Sequence, residues 1–216
     1  MLPKYNFHKI LFSTIAIIIY LIFYYLVLLF LFNRDSYVYV NSITKNTLYA
    51  RFMMDVIITV PFIASFLIVE NVTQSHIYTL EHSFLTLVLF CIYISIFLIK
   101  KEYTIQSYYL LVFYLFFIAF SEEFIFRGVL YLSWCSKFSW QISACISGIF
   151  WCIPHLFIPI LEKGNCYDWK EWIITFSSEI GGFIFVSFIL CWILKRSNNN
   201  IFIITLLHAI LDCLKS

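Results

Sequence analysis

Charge is what this chain has least of. Only 12% of its 216 residues are Asp, Glu, Lys or Arg, against 62% that are apolar. No soluble core of this size uses so many apolar residues, so a polytopic membrane protein is indicated. The net charge of +2 is too small to argue for a nucleic-acid partner. Seven cysteines, an odd number with no CxxC among them, support neither a disulfide framework nor a zinc knuckle. Cys91, Cys145, Cys152 and Cys191 fall inside apolar runs and read as small buried hydrophobes. The HExxH pattern of zinc-peptidase helices is missing, and no internal repeat is visible.

What is present is a series of long apolar runs. The expected fold is all-α, a polytopic integral membrane helical bundle of about six to eight helices in a single domain over residues 1–216. The runs are Ile10–Phe32, Phe52–Val69, Ser83–Ile99, a fourth from Tyr103 towards Trp134, Trp140–Ile160, Trp172–Leu194 and a short Ile201–Leu214. The first follows Lys4 and Lys9 but is too long for a signal-peptide core and lacks a cleavage site, so it reads as a membrane helix. Asn33–Arg51, Glu70–His82 and Leu161–Glu171 read as connections. Pro154 predicts a break or kink in the fifth run, immediately before His155. At ~1.5 Å per residue the last run is too short for ~30 Å of hydrocarbon and must pack inside the bundle. Lys and Arg are too evenly spread over the two sides to fix an orientation.

The fourth run carries the chain straight into Ser121-Glu122-Glu123-Phe124-Ile125-Phe126-Arg127-Gly128. At mid-membrane the three charges cost about 8–10 kcal/mol, and the apolar residues from Leu110 to Phe126 return only about 4–7 kcal/mol. These charges must therefore face protein, a wet cavity or the interface, and such residues are functional candidates. Glu123 and Arg127 are four apart and can pair on one helical face, leaving Glu122 turned by about 100°. A structural ion pair explains that stretch equally well by itself. The same holds for His155 alone and for the His208–Asp212 pair, which also share a face.

Together the three sets carry more weight. Three apolar helices each bring polar groups that lipid cannot satisfy, and the least costly arrangement points them at one another. A carboxylate, a water and two imidazoles can hydrolyse an acyl bond. Glu122, His155 and His208 could instead hold zinc, which would acidify the water. Asp55, near a helix start, reads as a cap. Glu179 reads as turned towards the site or bonded to Ser177 or Ser178.

Glu122-Glu123-x-x-x-Arg127, then Trp151-x-x-x-His155, then His208-x-x-x-Asp212 resembles the CAAX-protease and bacteriocin-processing (CPBP) family of intramembrane proteases, related to the CAAX prenyl endopeptidase. The likeness extends through Ser-Gly-Ile-Phe-Trp before His155 and Gly181-Gly182 in the next run. It covers residues 120–216 as a catalytic core, with 1–119 as variable membrane helices. It implies an intramembrane endopeptidase acting near the bilayer. Glu122 would activate water with His155 as partner, Glu123 and Arg127 would hold the site, and His208 with Asp212 would contact the oxyanion. Two positions depart from the family. Trp151 stands where Phe is usual, which would narrow the pocket. Asp212 stands where Asn is common, and an ionised Asp cannot donate to an oxyanion. The resemblance accommodates both metal-free and zinc-assisted hydrolysis. It implies a peptide or protein substrate, prenylated or not, and a bacterial cell membrane for so short a chain. Two other classes compete: a catalytically idle relative acting as an immunity or scaffold protein, and an ion carrier using the same carboxylates.

Overall fold

The computed structural model of the protein describes residues 5–73, 82–100, 103–164 and 169–215. These residues are helical with short connections and no strand. The helices are α1 (Tyr5–Asn33), α2 (Leu48–Thr73), α3 (Ser83–Lys100), α4 (Ile105–Cys135), α5 (Trp140–Glu162), α6 (Trp169–Arg196) and α7 (Ile201–Lys215). Five of them, α1, α3, α4, α5 and α6, are long and apolar enough to cross a membrane. In hydrocarbon every backbone N–H and C=O must be satisfied within the segment, so apolar runs of this length adopt helices. The chain is an all-α, multi-pass integral membrane bundle.

Local chemistry sets the ends. The Thr104 hydroxyl accepts the Ser107 N–H at 3.1 Å and opens α4. The Ser139 hydroxyl accepts the Ile142 N–H at 3.4 Å and opens α5. Asn198 and Asn199 adopt left-handed backbone, with φ of 53° and 63°, and reverse the chain between α6 and α7. Asn tolerates that region better than most residues.

The helices begin and end a few residues outside the apolar runs. α2 starts at Leu48 and reaches Thr73, so part of the expected Glu70–His82 connection is helical, while residues 74–81 lie outside those described. Asp55 therefore sits two turns inside α2 and is not a cap. Helix α5 continues without a break through both Pro154 and Pro159. Cys152 and Cys191 are buried as expected, but Cys145 is half-buried and Cys91 is exposed on α3.

Helix α4 runs through the middle of the bundle, in contact with α1, α2, α5 and α7. It is not uniformly wound. Phe113–Phe120 and Glu123–Tyr131 form π-helical stretches flanking Ser121 and Glu122, and the Leu132 N–H still reaches back five residues to the Arg127 carbonyl. The exposed apolar side chains of α1, among them Ile19, Ile22 and Phe30, form a lipid face, while Ile17, Tyr20, Leu21 and Leu28 turn inward.

Hydroxyl groups tie the helices together. Ser147 donates to the Phe126 carbonyl at 2.9 Å, joining α5 to α4. Ser187 donates to the Ala144 carbonyl at 2.9 Å, joining α6 to α5. Tyr93 donates to the Leu111 carbonyl at 2.6 Å, joining α3 to α4. Apolar burial gives little drive between helices in lipid, so close packing and such bonds take its place. Gly148 marks the tightest approach: a Cβ there would lie 2.8 Å from the Ile184 Cα and 3.1 Å from the Phe183 carbonyl oxygen. Helix α7 has 15 residues, about 22 Å of helix, and packs its buried face against α3 and α4.

Candidate active site

All six polar residues singled out from the sequence meet in one cluster, where α4, α5 and α7 pass one another. Glu122, Glu123 and Arg127 come from α4, His155 from α5, and His208 and Asp212 from α7. The two acids are handled differently. Glu123 is fully buried, and its Oε1 accepts both from Arg127 Nη1 at 3.2 Å and from His208 Nδ1 at 2.8 Å. Glu122 keeps 14% of its side chain exposed and lies beside the more open His155, at 35%. Its Oε1 is 3.9 Å from His155 Nε2, and its Oε2 is 4.0 Å from His208 Nε2.

Helix geometry fixes the tautomer of His155. Its Nδ1 lies 2.9 Å from the Trp151 carbonyl one turn earlier. A carbonyl only accepts, so Nδ1 carries the hydrogen and Nε2 of the neutral ring presents a lone pair towards Glu122. Two acceptors 3.9 Å apart do not bond to each other, but one water molecule can donate to both. The second imidazole is differently placed. Nδ1 of His208 faces Glu123, and Nε2 faces Asp212 Oδ2 at 3.3 Å. With both carboxylates ionised, each nitrogen of that ring has an acceptor before it.

Trp151 does more than narrow the space. Its indole N–H donates to Glu122 Oε2 at 2.5 Å, a bond that Phe could not make. Its ring lies over the Arg127 guanidinium, 3.9 Å from Cζ to centroid, and meets the edges of His155 and His208 at 5.5 Å each. A guanidinium held against an indole face is stabilised electrostatically where water is excluded. The sequence reading missed this donor. Its signal was a Trp, the aromatic with a ring N–H, one turn before the histidine.

A second polar group was missed as well. In α2, Arg51 clasps Asp55 through two bonds of 2.9 Å each and donates to the Val38 carbonyl at 2.7 Å, and Asp55 also accepts from the Tyr109 hydroxyl. The (i, i+4) spacing was legible, but Arg51 read as a loop cation and Asp55 as a cap. Outside the spans, burial pushes the nearby Tyr37 phenol above its ordinary range against the pull of the Arg51 charge. A cavity of about 260 Å³ lies between the two clusters, with Tyr20, Tyr24, Asp55, Ser121 and Glu122 in its walls.

Zinc does not fit the donors as they stand. Among the described residues no three His, Cys, Asp or Glu side chains are grouped as metal ligands. Glu122 is bonded by Trp151, and both nitrogens of His208 face other carboxylates.

The chain is a multi-pass helical bundle with acids and imidazoles gathered in its interior, and the family it matches implies a membrane protease. Residues 104–214 match the family described as type II CAAX prenyl endopeptidase Rce1-like, and the chain belongs to that family. The matched stretch begins at Thr104, the N-cap of α4, and runs to Leu214 in the last turn of α7. No curated protein and no solved structure matches the chain.

Proposed function

We propose that the chain is an intramembrane endopeptidase that hydrolyses peptide bonds with a water activated by Glu122, without a covalent intermediate. The observation that carries this reading is the pairing of Glu122 Oε1 with His155 Nε2 across 3.9 Å, with His155 held in the tautomer that turns its lone pair to the gap. A water donating to both acceptors has its own lone pairs free for the scissile carbonyl. Glu122 takes the proton as the oxygen attacks, and returns it to the leaving amine as the tetrahedral intermediate collapses.

His208 supports the charge that develops on the carbonyl oxygen. Flanked by Glu123 and Asp212, it carries a proton on each nitrogen, and the loose 3.3 Å contact to Asp212 lets Nε2–H be shared with an oxyanion. Asp212 thus orients the donor and need not donate itself. Arg127 and Trp151 fix the two glutamates. The substrate is a peptide or protein reaching the site from the bilayer surface, and nothing in the mechanism requires a prenyl group or a metal ion.

The test is cleavage of a peptide library by the purified chain in nanodiscs, with and without chelator, beside Glu122→Gln and His155→Gln. The wild type cleaves and both variants lose cleavage while remaining folded. An idle peptide-binding relative would show binding or protection that survives both changes, with no cleavage by any of the three.

A further inference from the structure

Glu179 is an ionisable side chain within a membrane-length helix that the mechanism leaves unused. It lies ten residues into α6, about 15 Å from that end of the helix. It is exposed, and it has no hydrogen bond or ion pair among the described residues. The Ser178 hydroxyl beside it does not engage it and donates to the Thr175 carbonyl instead. Lipid cannot solvate a lone carboxylate at that depth.

Helix geometry sets Glu179 at the edge of the lipid face of α6, not at its centre. The exposed apolar residues Ile174 and Phe185 mark the lipid face of α6. At about 100° per residue, Glu179 is rotated by about 140° from Ile174 and about 120° from Phe185. It lies only about 40° from Phe183, one turn along, so the two share a face. The Phe183 ring stands 4.5 Å from the His155 ring and 4.9 Å from Trp151. His155 is seven residues from the end of α5, about 10 Å, and α5 and α6 run antiparallel side by side. The carboxylate and the open edge of His155 therefore border the same strip of surface at similar depth.

We propose that Glu179 is a specificity-determining residue of the site, pairing with a Lys or Arg side chain of the peptide substrate that lies along α6 beside His155. The inference rests on the peptidase reading of the cluster. Within the chain, Glu123 is matched by a cation four residues away, and among the described residues Glu179 has no such match. A substrate cation completes the second pair only while the peptide is bound, which places the effect in KM and not in kcat.

The experiment uses the full chain in nanodiscs and a library of neutral nonapeptides through which a single lysine is scanned, each paired with its norleucine and glutamate counterparts. Both cleavage and direct binding of the fluorescently labelled peptides are measured. One lysine position is expected to be favoured over norleucine by the wild type. Glu179→Gln lowers that cationic-to-neutral ratio of kcat/KM about ten-fold through KM, and Glu179→Lys shifts preference to the glutamate-bearing counterpart. A wild type with no lysine preference at any position, or a Glu179→Gln variant that leaves the ratio unchanged, overturns the proposal. So does a Glu179→Gln variant that changes the mass of the particle by light scattering while the ratio stays fixed, since the carboxylate then serves a contact between copies. Absence of cleavage from every wild-type peptide counts against the peptidase reading instead, and the binding ratio still decides the role of Glu179.

Discussion

The bundle holds two buried ion pairs made from the same parts and spent in opposite ways. Arg51 and Asp55 in α2, like Glu123 and Arg127 in α4, are an arginine and a carboxylate four residues apart. In α2 nothing is left over: the guanidinium uses Nε, Nη1 and Nη2, and Asp55 also receives the Tyr109 hydroxyl. In α4 a single 3.2 Å bond joins the partners, and Arg127 Nε, Arg127 Nη2 and Glu123 Oε2 find no hydrogen-bond partner among the described residues. The first pair is saturated and closes the 34–47 connection onto α2. The second leaves capacity unspent, and one oxygen of Glu123 is shared with His208. Buried polar groups left incomplete in this way fit the catalytic role proposed for the α4 cluster.

Breaking the open cluster should have the largest effect. Glu122→Gln keeps the shape and the Trp151 contact but removes the base, so cleavage should fall by about 10²–10⁴-fold, with thermal unfolding in detergent unchanged within a degree or two. Arg127→Met comes next. It takes the guanidinium from the buried Glu123 and leaves His208 alone to hold that charge, at a cost of up to about 3–5 kcal/mol. The double change Glu123→Gln with Arg127→Met should recover much of the melting temperature and little of the cleavage. That double-variant rescue is the sharpest test of the contrast, and recovery of both properties would make the α4 pair purely structural.

The closed pair should respond in the other coordinate. Arg51→Lys loses the two-pronged grip on Asp55 and should lower stability by about 1–3 kcal/mol, while cleavage per folded molecule stays within about two-fold. The smallest effect is expected of Tyr109→Phe, about 1 kcal/mol of stability for one hydrogen bond to a carboxylate that Arg51 still holds. A loss of cleavage larger than the loss of folded protein, in either variant, would dissolve the distinction between the two pairs.

Much of this was legible before any coordinates. Long apolar runs give long helices because lipid offers the backbone no other partner, and the residues that lipid rejects in three separate runs do converge. Intervals of four told which residues share a face, as with His208 and Asp212. They could not tell which faces meet. The Trp151–Glu122 bond spans 29 residues and the His208–Glu123 bond 85. Both depend on how α5 and α7 are rotated against α4, which packing decides. The π-helical winding around Glu122 was equally invisible, because local propensity favours ordinary helix there and only tertiary contacts can hold the wider turn. Of the break or kink expected at Pro154, the break does not occur: a missing backbone bond predicts one in isolation, and within the bundle α5 passes through it.

Three glycines face the α5–α6 seam or the surface beside it, and only one of them is fixed by its surroundings. Gly181 and Gly182 have open space where a side chain would grow, whereas Gly148 has the backbone of the opposite helix there. Random mutagenesis of this chain should therefore return many viable substitutions at the adjacent pair and almost none at Gly148. A methyl group at that point would act as a wedge, prying apart the two rods that carry His155 and Phe183, and the injury would be read out two turns away, at the imidazole of His155.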